Sequence, residues 1–232
     1  MRKLLTYFIF PLLILGLAFL LYRSISEPVK FKNELQRRQN VAVEQLKDIR
    51  TLQVTYKDNF GHYAPVMDSL IDFYNNGKIT VMRQIGSEDD SVAVLHTEAV
   101  KKTLRNLKGE KLMEKLYEMY ENGDNNLIIR IPQQTLVKDT LFTRRPNFDV
   151  NALRYIPFTD KQDTVIMRSI VKQVSGVDVP LFEAQMPYWS LLRGMDRQQI
   201  VNLVSEKEDT DRYPGLMVGS IDNANNNAGN WE

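Results

Sequence analysis

The chain has 232 residues and carries 30 Lys and Arg against 29 Asp and Glu, with two His and no Cys. Because the opposite charges are interspersed and almost balanced, the sequence lacks the concentrated basic face that binding to nucleic acid requires. The absence of Cys excludes thiol catalysis, disulfides and thiolate metal ligands, and two His are too few for a typical histidine metal site. We therefore predict no nucleic-acid partner, no metal and no cofactor.

An uncharged apolar run over residues 4–22, LLTYFIFPLLILGLAFLLY, lies near the start of the chain. In a helix this run rises about 28 Å, close to the ~30 Å hydrocarbon core of a bilayer, so it predicts a transmembrane helix after a short end, residues 1–3. A cleavable signal peptide is the alternative, because Arg2 and Lys3 precede the run. A signal peptide would have a shorter apolar region and a small-x-small cleavage site, and we therefore expect an uncleaved single-pass anchor that contacts membrane lipid.

The orientation of this anchor is less directly encoded. Arg2 and Lys3 lie before the span, and more basic residues follow it: Arg23, Lys30, Lys32, Arg37 and Arg38. The positive-inside rule, applied to the Lys and Arg residues on each side of the span, would place the head in the cytoplasm. Long domains, however, cross the membrane largely regardless of their charge. A short basic N-terminus before a span is the usual arrangement of bacterial inner-membrane signal anchors. We therefore expect residues 1–3 in the cytoplasm and a periplasmic head.

Residues 23–60 predict an amphipathic stalk helix. Pro28 is expected to end the membrane helix, because the residue before a proline is pushed out of the helical region. Apolar side chains then recur at spacings of seven and about four residues, and Gln39 and Gln53 interrupt this pattern. The seam favours either self-association between stalks or packing of the stalk against its own head. The candidate self-association residues are Leu35, Ala42, Leu46, Ile49 and Tyr56.

About 200 residues follow the anchor, enough for one substantial domain or two small ones. We predict an α+β head with a helix-rich part at residues 61–125, a strand-rich part with an antiparallel sheet at residues 126–222, and an Asn-rich C-terminal tail at residues 223–232. The helix-rich part contains a strand over 79–85 and a later helix capped by Thr97. The strand-rich part contains strands over 127–131 and 136–142, a hairpin of 164–173 with 177–185 around Ser175 and Gly176, and a helix capped by Asp196.

Within residues 47–73, a Tyr is followed by a glycine–tyrosine–proline turn between two amphipathic helices. The residues are Tyr56, Gly61, Tyr63 and Pro65, with Ala64 inserted before the proline. This segment resembles the start of the head of a type IV pilin or a type II secretion pseudopilin. The resemblance implies a membrane helix that runs into a long amphipathic helix, and a role in an envelope assembly.

The N-terminus departs from the pilin pattern, because it has no glycine cleavage site and the apolar run contains no Glu. A pilin-like architecture in a permanently anchored assembly or platform protein fits better than a polymerising subunit. The rest of the chain resembles an uncharacterised Bacteroides-like membrane-anchored family, without a motif that carries the resemblance.

The remaining candidates for chemistry each have a structural alternative. His62 and His96 fit a turn and a surface position, and the acidic cluster Glu88–Asp90 lacks the spacing and Gly of a calcium loop. Glu183 is a strand-borne acid of the kind that glycosidases use, although surface acids on antiparallel strands are commoner. Aromatic residues dominate interface hot spots, so Tyr188, Trp189 and Trp231 are the candidate partner-binding residues.

Three functions stay open. The first is a non-enzymatic structural or assembly component of a bacterial envelope complex, pilin-like or secretion-related, with envelope protein partners and homo-oligomer formation. It explains the anchor, the helix and the missing catalytic constellation together. The second is a membrane-tethered enzyme that acts on cell wall or polysaccharide, and the third is a ligand-binding head.

Overall fold

The computed structural model describes residues 10–174 and 176–232, and the fold is α+β. The predicted cytoplasmic end at residues 1–3, the start of the predicted span and Ser175 of the predicted turn lie outside the described residues. In chain order the elements are α1 (Phe10–Phe60), α2 (Met67–Asn76), β1 (Lys78–Ile85), α3 (Ser91–Thr103), α4 (Glu110–Glu121), β2 (Ile129–Leu136), β3 (Ile166–Val174), β4 (Val177–Pro187), α5 (Tyr188–Leu191), α6 (Arg197–Glu208) and β5 (Gly215–Gly219). Short 3₁₀ helices cover Val137–Asp139 and Val150–Arg154.

The chain forms two compact units. One contains the chain up to Ile71 together with Asn147–Glu232, and the other is Asp72–Pro146, which is inserted into the first. The boundary between the helix-rich and strand-rich parts, placed at residue 125 from the sequence, falls inside the second unit. Sequence order hides this arrangement because the first unit is assembled from two separate stretches of chain.

Helix α1 is continuous over 51 residues and contains Pro28. The prediction that Pro28 ends the membrane helix is therefore wrong. A proline inside a helix costs about 3 kcal/mol, since it removes one hydrogen bond and crowds the preceding turn. Each residue on either side adds a bond of its own, so a long helix can continue through one such defect. The predicted end is confirmed, because α1 stops at Phe60 and Gly61 adopts a left-handed φ of +79°.

The two halves of α1 have different surroundings. From Leu12 onward, the first part of α1 is exposed. The most apolar 18 residues of this part have a mean hydropathy of 1.5, and none of them is buried. This helix is long and apolar enough to span a membrane. Farther along, a stripe at the helical spacing is fully buried in the first unit: Ala42, Leu46, Ile49 and Leu52.

The sheet of the first unit has the strand order β3-β4-β5, with both pairs antiparallel. The predicted hairpin is confirmed, and Val174 pairs with Val177 next to its turn. Strand β4 is central and buries Phe182, Ala184 and Met186 on the face that is directed toward α1. Strand β5 was not predicted, because its Gly-rich sequence lacks the alternation that marks a strand.

The second unit pairs β1 with β2, from Lys78 opposite Leu136 to Ile85 opposite Ile129. Its small core contains Leu116 of α4 together with Leu127 and Ile129. The two strands predicted over 127–131 and 136–142 are instead one strand followed by the 3₁₀ turn. Strand β2 can include Pro132 because a two-stranded sheet leaves one side of each strand unpaired, where a missing N–H costs little.

Two predicted helix caps have different outcomes. Asp196 caps α6 as predicted, since its Oδ1 accepts a bond from the Gln199 N–H at 2.9 Å. Thr97 is not a cap but lies buried within α3, where its hydroxyl accepts a bond from the Ile128 N–H at 2.8 Å. Asp90 caps α3 instead, and its carboxylate accepts bonds from two N–H groups of the first turn.

The turn after α1 is fixed by a buried amide. Gln53 has no exposed surface; its Nε2 donates to the Ala64 carbonyl at 3.1 Å, and its Oε1 accepts from the Ala64 N–H at 2.9 Å. The side chain thus pairs with one residue of the backbone as a neighbouring strand would. This explains why a polar residue interrupts the apolar stripe.

Candidate functional site

A cleft of about 670 Å³ lies in the first unit, where α1, β5 and the C-terminal segment meet. Its volume falls within the ~300–1,000 Å³ typical of ligand pockets. Amide and aromatic side chains make up half of its lining residues. The lining residues are Gln36, Gln39, Asn40, Val43, Tyr188, Lys207, Asp211, Arg212, Tyr213, Gly215, Leu216, Met217, Asn230 and Trp231.

The α1 wall of the cleft is a row of amides one helical turn apart. Gln36 donates to the Asn40 side chain at 2.9 Å, and Gln39 donates to the Tyr188 hydroxyl at 2.8 Å. Since an amide has both donor and acceptor groups and each of these bonds uses only part of that capacity, the wall retains hydrogen-bonding groups for a bound molecule.

Asn230 positions the opposite wall, because it forms hydrogen bonds with the edge of β5 that does not pair with β4. Its backbone N–H donates to the Met217 carbonyl at 2.9 Å. Its side chain accepts from the Met217 N–H at 3.0 Å and donates to the Gly215 carbonyl at 2.9 Å. A further bridge joins Val218 to Gly229. The segment predicted as an Asn-rich tail is therefore paired with the sheet over its last residues.

These contacts place the Trp231 side chain in the cleft. The indole packs against Gly229, and a Cβ added at that glycine would meet the ring. Within the described chain, the indole Nε1 is buried without a hydrogen-bond partner. An unsatisfied buried donor costs about 1–3 kcal/mol.

Charged residues at the end of α6 and two tyrosines set the electrostatics of the cleft. Lys207, Asp211 and Arg212 line one side. Burial raises the pKa of Tyr188 above its usual value. Burial, reinforced by the negative charge of Glu183, raises the pKa of Tyr213 to about 12. Both phenols are therefore neutral near pH 7 and can donate a hydrogen bond.

The three aromatic residues singled out from the sequence have different positions. Tyr188 is 4% exposed and lies in the cleft with Trp231, although 43 positions separate them in the chain. Trp189 is 47% exposed and does not line the cleft. The structure thus brings two of the three together. Sequence reasoning missed the amides of α1 and Asn230, because only the fold brings them to the same place.

The candidate self-association residues divide into two groups. Ala42, Leu46 and Ile49 are completely buried within the first unit, so α1 packs against its own head at these positions. Leu35 and Tyr56 are partly exposed, and the Tyr56 ring contacts Phe60 at a centroid distance of 4.5 Å. Three of the five seam residues are thus covered by the head, and self-association stays a prediction that concerns the partly exposed Leu35 and Tyr56.

The arginines after the anchor are bound within the chain. Arg37 and Arg38 both pair with Glu34, and Arg38 also donates to the carbonyls of Leu191 and Arg193 at 3.0 Å each. Both guanidinium groups lie over the Phe158 ring. The two arginines lower the pKa of Glu34 to about 2. Arg38 thus connects α1 to the end of α5, close to the cleft.

The other acids and histidines have local partners. Glu183 is 3% exposed, forms an ion pair with Arg168 and accepts a bond from Gln185 at 3.1 Å. His96 contacts Asp124 at 2.8 Å, and Glu88 pairs with Arg130 at 2.8 Å. Among residues 10–174 and 176–232, no group of three or more His, Asp or Glu side chains is placed to hold a metal ion.

Comparison of the chain with family models, with curated proteins and with solved structures gives no match.

Proposed function

We propose that this protein is a single-pass, membrane-anchored structural or assembly component of a bacterial envelope complex, pilin-like or secretion-related, which acts through protein–protein contacts rather than catalysis. Its head would lie in the periplasm and recruit an envelope partner. The proposal combines the anchor with the aromatic- and amide-lined cleft of the first unit.

The observation that carries the proposal is the continuity of α1. The helix that can span a membrane also supplies Gln36, Gln39 and Asn40 to the cleft. At ~1.5 Å per residue, these residues lie about 20–27 Å along the helix beyond Tyr22. A continuous helix would hold the cleft at about this distance from the membrane, where a partner anchored in the same membrane can reach it.

A ligand-binding head is the second candidate, and the dimensions of the cleft favour it. The Trp231 indole and the neutral phenols of Tyr188 and Tyr213 line the cleft, and aromatic and hydroxyl groups of this kind can bind and orient a small molecule. The envelope-enzyme alternative has less support. Its candidate acid, Glu183, forms an ion pair with Arg168, and the described residues that line the cleft include a single acid, Asp211, rather than a pair of carboxyl groups.

The experiment is a topology and cross-linking assay in cells. A C-terminal tag should be accessible to protease from the periplasmic side, and in-cell cross-linking should give defined partner bands. A tag protected by the inner membrane would place the head in the cytoplasm and overturn the envelope proposal.

Two tryptophan variants then test the cleft. We expect Trp231→Ala to weaken the cross-linked bands, and Trp189→Ala to leave them unchanged, because Trp189 lies outside the cleft and its replacement removes a side chain of the same size. Equal loss in both variants would show that the cleft does not select the partner. A small-molecule ligand would instead leave the bands intact and raise the thermal stability of the wild-type chain but not of Trp231→Ala.

A further inference from the structure

The outer side of β3 is an unpaired sheet edge. In a hairpin with a two-residue connection, the closing pair, here Val174 and Val177, exchanges both backbone hydrogen bonds. Bonding to β4 then alternates along the strand. Pro180 lies opposite Val171 and has no N–H to donate, which agrees with this assignment. The intervening residues, which direct their N–H and C=O groups away from β4, are Met167, Ser169, Val171 and Gln173.

None of these four residues has a backbone partner on the outer side within the described chain. Proteins usually block such an edge with charges, proline or a bulge, because an open edge pairs with other chains. Strand β3 contains no proline. Its two basic side chains are directed back to their own sheet, since Arg168 pairs with Glu183 and Lys172 donates to the Asp222 carbonyl at 2.8 Å.

The edge also presents apolar surface and a pocket. Val171 is 58% exposed, and Ile166, Ile170 and Val174 are exposed along the same strand. Beside the middle of the strand, a hollow of about 230 Å³ separates Ser169, Ile170 and Val171 from the turn after α1, and His62, Tyr63 and Pro65 form its other wall. A strand added to β3 would run past this hollow and could place one bulky side chain in it.

A second copy of this chain does not fit the edge. Antiparallel pairing of two β3 strands has its two-fold axis perpendicular to the sheet. Because β4 and β5 pack against α1, that axis is also perpendicular to α1. Such a dimer would point the two anchors in opposite directions, which is incompatible with one membrane. This excludes the symmetric β3–β3 dimer, and we assign the edge to a segment of another protein.

We propose that the outer edge of β3 binds an extended segment of a partner protein by β-strand addition, with one bulky apolar residue in the hollow. In this mode backbone hydrogen bonds supply affinity and side-chain pockets supply specificity. In the bound segment, the residue next to the bulky one would face Lys172. The Lys172 ammonium group donates to the Asp222 carbonyl and has no acid partner among the described residues. The preferred segment thus has an acid beside the bulky residue.

This inference rests on the proposed function in that both require a protein partner, but it uses a surface separate from the cleft. The test uses the full chain in lipid nanodiscs and fluorescein-labelled probe peptides of alternating Thr and Val. The central residue is Phe or Ala, and its neighbour is Asp or Lys. Anisotropy should rank the Phe–Asp probe first and show binding at least about tenfold weaker when Ala replaces Phe.

Two controls isolate the edge. N-methylation of alternate amides in the Phe–Asp probe should abolish binding, because it removes the backbone donors. Val171→Lys should weaken binding about tenfold, whereas Val177→Lys should change it less than about twofold. Val177 is 64% exposed and belongs to the same sheet, so the two variants add the same charge and remove similar apolar surface.

Hydrogen exchange gives an independent measurement. The amides of Met167, Ser169, Val171 and Gln173 should exchange quickly in the free protein and become protected when the Phe–Asp probe binds. Absence of binding by every probe, or binding without this protection, would overturn the proposal. Trp231→Ala should bind the probe normally, so failure of the cleft and failure of the edge are distinguishable.

Discussion

The two halves of α1 have the same backbone geometry and opposite surroundings. Between Leu12 and Tyr22 the helix is apolar all round and exposed, whereas between Ala42 and Gln53 only one stripe is apolar and that stripe is buried. A helix that is apolar on all sides needs an apolar solvent, and a striped helix needs one packed partner. One end of this element is thus long and apolar enough to cross a membrane, and the other end packs against its own head.

The largest expected effect comes from placing a charge in the buried stripe. Leu46→Asp buries a carboxylate and removes a fully buried side chain, so we expect a loss of at least about 4 kcal/mol of head stability. Denaturant unfolding in detergent micelles, followed by near-UV circular dichroism, measures it. Val41→Asp, at a position 44% exposed, is the matched control and should unfold near the wild-type midpoint.

The same substitution in the exposed half should act on the membrane and not on the head. Leu13→Asp lies near the centre of the predicted span, where an Asp costs about 2.5–3.5 kcal/mol of insertion free energy. Carbonate extraction of membranes should release a larger fraction of this variant, while its head unfolds at the wild-type midpoint. Full retention in the membrane would contradict the assignment of this half to lipid.

Gln53, the polar residue within the buried stripe, tests whether that half of α1 depends on hydrogen bonds as well as on apolar packing. Gln53→Leu should destabilise the head by about 2–3 kcal/mol despite adding apolar surface, because both polar groups of Ala64 lose their partner. Chemical denaturation is the measurement. A more stable Gln53→Leu protein would show that the amide pairing is not needed.

The smallest effect concerns the charged residues between the two halves. Arg37 and Arg38 lower the pKa of Glu34 from 4.5 to about 2, so its ion pairs add stability above pH 4.5 and lose it as the pH falls toward 2. Thermal unfolding at pH 6 and pH 3 should therefore show a smaller drop in Glu34→Gln than in the wild type. Equal drops would mean that Glu34 is not linked to folding.

Local patterns were sufficient for some of this architecture. The β3–β4 hairpin follows from alternation around a short turn, and the end of α1 follows from Gly61. The continuation through Pro28 was missed, because a single proline signals a break only when the neighbouring turns cannot offset its cost. Strand β5 was missed since glycines mask its alternation and its partner β4 lies about 30 positions away.

The cleft was only partly accessible to sequence reasoning. Tyr188 and Trp231 were selected because aromatic residues dominate interfaces, but their proximity depends on Asn230 pairing with β5. An Asn-rich segment reads as a tail because its polar groups have no periodic pattern. Here those groups replace backbone hydrogen bonds, a role that requires knowledge of the strand beside them.

The continuity of α1 has a mechanical consequence. The part of the helix beyond Tyr22 is about 57 Å long, and transmembrane helices tilt by ~20° on average to match bilayer thickness. A straight helix with that tilt displaces its far end sideways by roughly 20 Å, about two-thirds of the diameter of a small domain. The thickness of the surrounding bilayer would thereby help to set where the head is held, and so which neighbours it can reach.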